Sequence, residues 1–568
     1  MNPPKGSKRI GRTVTPGAPD VPVISLGEMQ SRFEERIRAW AGDEFGRRLR
    51  AGDPTLWASG SVPEIANRLG WLELPGTMEP RLAGIQAFAD EVKAGGFAHA
   101  VLLGMGGSSL APEVFQKTFG NAPGYPELIV LDSTHPAAVA AVERRIDLPR
   151  TLFILSSKSG TTVEPLSLFR YFWSRLGRDA ASRGGHFVAV TDPATPLAAM
   201  ARDREFRRVF EADPNVGGRF SALNEFGLVP AALIGLDASK LLAGAREEAL
   251  ANSADVSAGD APGLLLGAAI GESALARDKL TILTSPSLRG LPDWLEQLIA
   301  ESTGKDGKGI VPIAGEPAVA AGLYGGDRVF VSIILDGDSA GGAGDLTDAL
   351  EKAGHPVIRT RVPDLYSLGR EFYRWEIAVA AAGSVLGIHP FNQPDVELAK
   401  ELARKAMARS GGGPASTGPE EAVPSDDTPG LRNALERWLG RARPGDYVAI
   451  QAFLAPLEET SLALRGLRHS LLLKTGLATT LGYGPRFLHS TGQLHKGGPN
   501  EALVLQLVDE PEADLAVPET DFTFGALIRA QALGDYQALR QRGRRVLRVN
   551  LKKEPAGGIR QLTSWAGS

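Results

Sequence analysis

From Thr151 to Pro165 the chain reads TLFILSSKSGTTVEP. A short apolar run, Leu152–Ser156, passes into a turn of hydroxyl-bearing residues with one lysine and one glycine, and then into an amphipathic stretch, Thr162–Leu176. That order predicts a buried strand leading directly into a helix, the grammar of parallel α/β structure. At such a helix start the first backbone N–H groups are free and the dipole favours an anion. Ser156–Thr162, SSKSGTT, is therefore where hydroxyls and Lys158 would hold a tetrahedral phosphate. Ordinary N-capping, with Glu164 helping to complete a capping arrangement, uses the same residue types.

The same grammar continues on both sides. Strands are predicted at His99–Met105, Leu128–Leu131 and Phe187–Val190, with helices at Leu110–Phe119, Pro136–Arg145 and from Pro196 onward. A second series, Leu280–Leu283, Val329–Leu335, Val357–Arg361, Tyr447–Phe453, Leu503–Val508 and Val546–Asn550, predicts a second sheet of similar kind. Between the series lie the helical Ala231–Ala251 and a small-residue loop, 252–263. A chain of 568 residues exceeds what one core usually supports, so two domains are expected. The divisions are a loose tail at 1–20, a helical segment at 21–98 packing on the core, a first domain at 99–255, a second at 256–555, and a tail at 556–568. The second domain carries a flexible insertion at 410–430, dense in Gly, Pro, Ser and acidic residues.

The formal charge of -4 gives no global field that would gather nucleic acid or anionic lipid. The chain has no cysteine, which excludes disulfides, thiolate nucleophiles and Cys-ligated metals. Residues 1–20 are basic but lack the apolar centre of a signal peptide, and no apolar run approaches the roughly 20 residues that span a bilayer. A cytoplasmic protein without nucleic-acid or membrane partners is expected.

Gly104-Met105-Gly106-Gly107-Ser108-Ser109 follows a predicted strand but is not GxGxxG, so a nucleotide site is the weaker reading. It is either a tight βα turn or a place where Gly107 and Ser108 meet a ligand. Arg219, between glycines and an apolar helix, suits a structural ion pair or an anionic ligand. Glu301, in ESTGKDGKG, is either a solvated helix-end carboxylate or a general base, and Glu296 competes with it. Gln393 and Lys400 open and enter a helix that starts at a proline. The segment 489–500, HSTGQLHKGGPN, holds His489 and His495; no HExxH or similar ligand spacing exists, so no metal is expected.

Together and in this order, these motifs resemble the phosphoglucose (glucose-6-phosphate) isomerase family. The resemblance covers nearly the whole chain after about residue 80 and looks closest to the isomerase half of fused transaldolase/phosphoglucose isomerase proteins across Leu477–Asn500 and Phe522–Asn550. It implies two sugar-isomerase (SIS) type domains, each a mainly parallel sheet flanked by helices, and reversible aldose–ketose interconversion of glucose 6-phosphate and fructose 6-phosphate through an enediolate, without a cofactor. It also implies a homodimer that shares a histidine across its interface. Carried over by position, the family's sugar-contacting pair falls on Gly107 and Ser108, and its phosphate loop on Ser157, Lys158, Ser159 and Thr162. Its intermediate-stabilising arginine falls on Arg219, its base on Glu301, and its glutamine and lysine on Gln393 and Lys400. In the family pattern Gly-Glu-Pro leads within a few residues to Gly-Gln-His, whereas here Gly315-Glu316-Pro317 is followed by AVAAGLYGG. Gly-Gln-x-His occurs instead at Gly492–His495, so the ring-opening histidine is assigned to His495, with His489 and His389 as rivals. Pro394-Asp395 stands where the family has Trp-Gly. Dual use of glucose and mannose 6-phosphates is a second reading. A non-catalytic sugar-phosphate sensor is a third, though it would usually carry a DNA-binding helix-turn-helix, of which there is no clear candidate.

Overall fold

The computed structural model describes residues 21–60, 62–177, 183–338, 342–409 and 422–567. The tail expected at 1–20 and most of the insertion expected at 410–430 lie outside them.

The described chain enters on a short strand, β1 (Val23–Ser25), and passes through helices to a first sheet of β2 (His99–Leu103), β3 (Glu127–Leu131), β4 (Thr151–Ser156), β5 (Phe187–Thr191) and β6 (Arg208–Glu211). These strands are ordered 3-2-4-5-6 and are all parallel. β4 is buried along its whole length, as a central parallel strand covered on both faces must be. Its side chains alternate between two cores. Leu152 and Ile154 join Trp71, Trp294 and Phe372 on one face, while Phe153 and Leu155 join Phe169, Phe172 and Phe187 on the other.

The second series of strands forms two sheets where one was expected. β7 (Lys279–Thr284), β8 (Val311–Ala314), β9 (Arg328–Leu335) and β10 (Val357–Val362) pair among themselves, and β1 closes their edge antiparallel, in the order 1-10-9-7-8. β11 (Ala422–Pro424), β12 (Tyr447–Phe453), β13 (Ala478–Tyr483), β14 (Ala502–Val508) and β15 (Arg545–Asn550) form a separate parallel sheet in the order 11-15-14-12-13. The division follows from edge strands β8 and β13. Their side chains meet across the gap, where Val311 and Ile313 share a core with Tyr447, Ala449, Ala478 and Val504.

Eight helices place the residues that matter below: α1 (Leu110–Phe119), α2 (Val163–Arg175), α3 (Leu291–Thr303), α4 (Leu368–Leu386), α5 (Glu397–Arg409), α6 (Gly492–Gly497), α7 (Phe524–Gln541) and α8 (Pro555–Gly567). The last corrects the tail expected at 556–568. Ile559, Leu562 and Ala566 fall on one helical face and bury it in the core of the third sheet, which holds the helix in place. The part of the insertion that is described, 422–430, is likewise ordered as β11 and the start of a helix. No helix among the described residues is long and apolar enough to cross a membrane.

Candidate active site

The turns after β2 and β4 lie side by side because their strands are neighbours, and a cleft opens at these carboxyl ends, as in other open α/β sheets. It has a volume of about 360 Å³. Gly107, Ser108, Ser157, Lys158, Ser159 and Thr162 line it from the first sheet, and Arg219, Glu301, Gln393 and Lys400 close it from other elements. Of the residues given a role from the sequence, only His495 stays outside this cleft; the rivals His389 and Glu296 lie outside it as well.

The turn after β4 is more than a helix cap. Thr162 is the N-cap residue of α2, yet its side chain makes no capping bond and accepts instead from Ser157 Oγ at 3.2 Å. Ser159 and Thr161 hydroxyls pair at 3.1 Å. Glu164 does not reach back to complete a capping box; its carboxylate points into the interior. Lys158 is drawn to Asp192 and donates to Pro214 O at 3.1 Å. Burial lowers its pKa, and the Asp192 hydrogen bond opposes that. A hydroxyl-rich turn at a free helix N-terminus with one ammonium beside it has the chemistry of a phosphate cradle.

The turn after β2 touches the Arg219 loop backbone to backbone. A Cβ on Gly107 would stand 2.0 Å from Gly218 O, so only glycine lets the two loops meet. Arg219 is almost fully buried. Its Nε donates to Ser302 Oγ at 2.7 Å, and the two terminal nitrogens donate to Gln393 Oε1 at 3.0 Å and Pro390 O at 2.6 Å. One of them lies 3.3 Å from Glu301 Oε1. Burial lowers the guanidinium pKa and Glu301 opposes that shift. The result is a fixed cation beside a carboxylate, with the cation's other donors tied to protein.

Glu301 sits near the end of α3, where Gln297 one turn earlier donates to its Oε2 at 3.0 Å. Glu296 does not line the cleft, and burial pushes its carboxyl up to about 8. Lys400, on α5, pairs with Glu397 at 2.9 Å and is half exposed at the cleft mouth.

The histidine assigned from the sequence lies outside the cleft. His495 lies on α6 with its ring turned into the third sheet, where Nδ1 meets Gln451 Nε2 at 3.1 Å and Phe487 packs edge-on. Burial drives its pKa down to about 3, and it lines no part of the cleft. His389 is spent on Pro63 O at 3.0 Å and on the Phe391 N–H. His489 is the one that lines the cleft: its Nε2 is 2.9 Å from Glu164 Oε1, and its backbone carbonyl accepts from Gln297 Nε2 at 2.8 Å. Burial pushes the Glu164 carboxyl up, but the charge and hydrogen bond of His489 outweigh it and hold the pKa below the usual value. Gln531 Nε2 donates to the same Glu164 oxygen at 2.7 Å. His489 also borders a second space of about 710 Å³ between α2, α5 and α7. Gln297 and Glu164 hold these groups without belonging to any of the motifs read from the sequence. Gln297 carried one signal, its spacing of one helical turn from Glu301.

The sequence profile described as phosphoglucose isomerase matches residues 78–311, a span that includes Gly107, the hydroxyl-rich turn after β4, Arg219 and Glu301. The chain is 29% identical to a glucose-6-phosphate isomerase of Rubrobacter xylanophilus over 65% of this chain and 94% of the relative. It is 30% identical to that of Carboxydothermus hydrogenoformans over 60% of this chain and 86% of the relative. Among solved structures, a hypothetical protein from Thermus thermophilus aligns with a TM-score of 0.57 at 26% identity, over 68% of this chain and 100% of that one. A glucose-6-phosphate isomerase from Chlamydia trachomatis aligns with a TM-score of 0.51 at 22% identity, over 68% of this chain and 81% of that one, which speaks to fold alone. On sequence and fold together, the chain belongs to the phosphoglucose isomerase family.

Proposed function

We propose that this protein interconverts glucose 6-phosphate and fructose 6-phosphate by general acid/base catalysis. The observation that carries the reading is the single cleft in which a hydroxyl-rich anion turn faces a carboxylate, Glu301, held 3.3 Å from a buried guanidinium, Arg219. The phosphate lies against Ser157, Ser159, Thr162 and the first N–H groups of α2, with Lys158 beside it, which fixes the sugar in register. His489, steadied by Glu164 and assisted by Lys400, gives a proton to the ring oxygen as the C1–O5 bond breaks, and the C1 hydroxyl passes its proton to solvent as the aldehyde forms. Glu301 takes the proton from C2 of the open aldose and returns it to C1, and Arg219 stabilises the enediolate charge between the two transfers. Gln297 holds Glu301 in place.

A homodimer and a cytoplasmic location belong to the same reading, the latter supported by a cysteine-free chain that needs no oxidising compartment. Fructose 6-phosphate conversion, followed through a coupled glucose-6-phosphate dehydrogenase, tests the reaction. Glu301→Gln is expected to lower kcat by about 10²–10⁴-fold, and full activity in that variant would remove Glu301 from its role.

A further inference from the structure

We propose that the carboxy-terminal α/β unit, residues 422–567, completes the catalytic cleft of its own chain, so that His489 and Glu301 acting on one substrate belong to one protomer. The inference rests on the isomerase reading above and departs from the shared-histidine dimer that the family resemblance implies.

His489 is held from three directions at once. Its ring meets Glu164 of the first unit, its carbonyl accepts from Gln297 of the second, and Gln531 of its own unit donates to the same Glu164 oxygen that meets the ring. Gln531 is itself bonded to Thr134 of the first unit at 2.9 Å. One glutamine, Gln297, therefore reaches both the proton-transferring carboxylate and the histidine segment.

The seat of this segment is close enough to exclude side chains. A Cβ on Gly106 would stand 2.7 Å from His489 O, and one on Gly304 only 2.4 Å from Leu494 Cα. Behind the histidine, buried polar groups cross between the units. Gln493 accepts from the Asp395 N–H at 2.9 Å and donates to Gly304 O at 2.9 Å. Lys279, with no exposed side-chain surface, pairs with Glu501 at 2.6 Å. Glu316, of the Gly-Glu-Pro motif that lacks a following histidine, accepts from the Thr479 N–H at 2.7 Å. Val517 and Phe524 cap the first sheet's core. Leaving such contacts unmade would strand buried polar groups at a cost of about 1–3 kcal/mol each. The carboxy-terminal unit is thus a fixed wall of the cleft, and the histidine missing after Gly315-Glu316-Pro317 is replaced from within the same chain.

The decisive experiment is complementation. Glu301→Gln and His489→Asn chains, each shown by circular dichroism to unfold like the parent, are co-expressed and assayed. The expected result is no activity beyond the sum of the two variants. A histidine donated by a partner would instead restore about a quarter of parental activity, the statistical share for random pairing in a two-fold dimer, and would overturn the proposal. Should His489→Asn unfold early, His489→Gln takes its place.

A second readout is independent of catalysis. Arg204 of the first unit and Glu519 of the carboxy-terminal unit pair on the surface at 3.1 Å. In this cysteine-free chain, Arg204→Cys combined with Glu519→Cys and a short thiol-reactive bifunctional linker should give an internally bridged monomer on a non-reducing gel. Covalent dimers, or no bridge at all, would overturn the proposal. If the parent lacked isomerase activity, the functional reading would fail while the bridge still reported on the seat.

Discussion

Ser157, Lys158, Ser159 and Thr162 lie within one turn between β4 and α2, whereas His489 stands 325 residues beyond its partner Glu164, on a segment leaving the third sheet. The anion turn is made by the chain's local course: once β4 pairs with β2 and β5, free amides and hydroxyls are already gathered. The histidine is made by docking, because nothing near it in sequence orients its ring. Glu164, Gln297 and Gln531 do so, and they come from three units. In the proposed reaction, anchoring the phosphate and opening the sugar therefore depend on different levels of the structure, and they should fail differently.

The largest effect that could break this contrast is at the docked side. His489→Asn is expected to lower kcat by about 10²–10³-fold while leaving competitive inhibition by inorganic phosphate unchanged. His495→Asn, six residues on, should keep kcat within about threefold and lower the melting temperature, since it strands the buried Gln451 amide at a cost of about 1–3 kcal/mol. Steady-state kinetics and thermal melts on the two variants check both, and a large kcat loss in His495→Asn alone would restore the original assignment.

On the local side, Ser157→Ala combined with Thr162→Ala removes two donors to a charged ligand, each worth about 1.5–3 kcal/mol. KM should rise about a hundredfold or more with a smaller change in kcat. A fall in kcat at constant KM would mean that the turn does more than anchor. Gln297→Leu, which cuts the link between Glu301 and the histidine segment, should lower kcat/KM about tenfold.

The smallest effect sharpens the contrast through pH. Glu164 is held below its usual pKa of 4.5 by His489, so it binds fewer protons folded than unfolded. Its contribution to stability is present above pH 4.5 and is lost as pH falls through the folded value. The melting-temperature gap between the parent and Glu164→Gln should therefore be full near neutrality and narrow in acid; a gap that widened in acid would contradict the sign.

Much of this was legible in the sequence where structure is local. Tyr447–Phe453 and Leu110–Phe119 are found with the bounds read from their apolar patterns, and the turns after β2 and β4 are where glycines and hydroxyls placed them. The pairing of strands was not legible. β8 is only four residues long with Pro312 inside it, and β13 is broken by Gly482, so neither reads as a strand, yet these two edges divide one expected sheet into two. α8 looked like a tail because paired glycines hide Ile559, Leu562 and Ala566. Between His489 and His495, a motif pattern favoured the latter, but which ring meets the cleft was settled by burial of α6 against Gln451 and Phe487.

Gly107 is the point of contact between two loops. The β2 turn and the Arg219 loop touch there with no side chain between them, so a single methyl group would prise them apart and carry the guanidinium away from Glu301. In a library with every codon allowed at this position, selected for growth that requires the enzyme, glycine codons alone should survive, while the neighbouring Ser108 tolerates threonine or alanine with partial fitness.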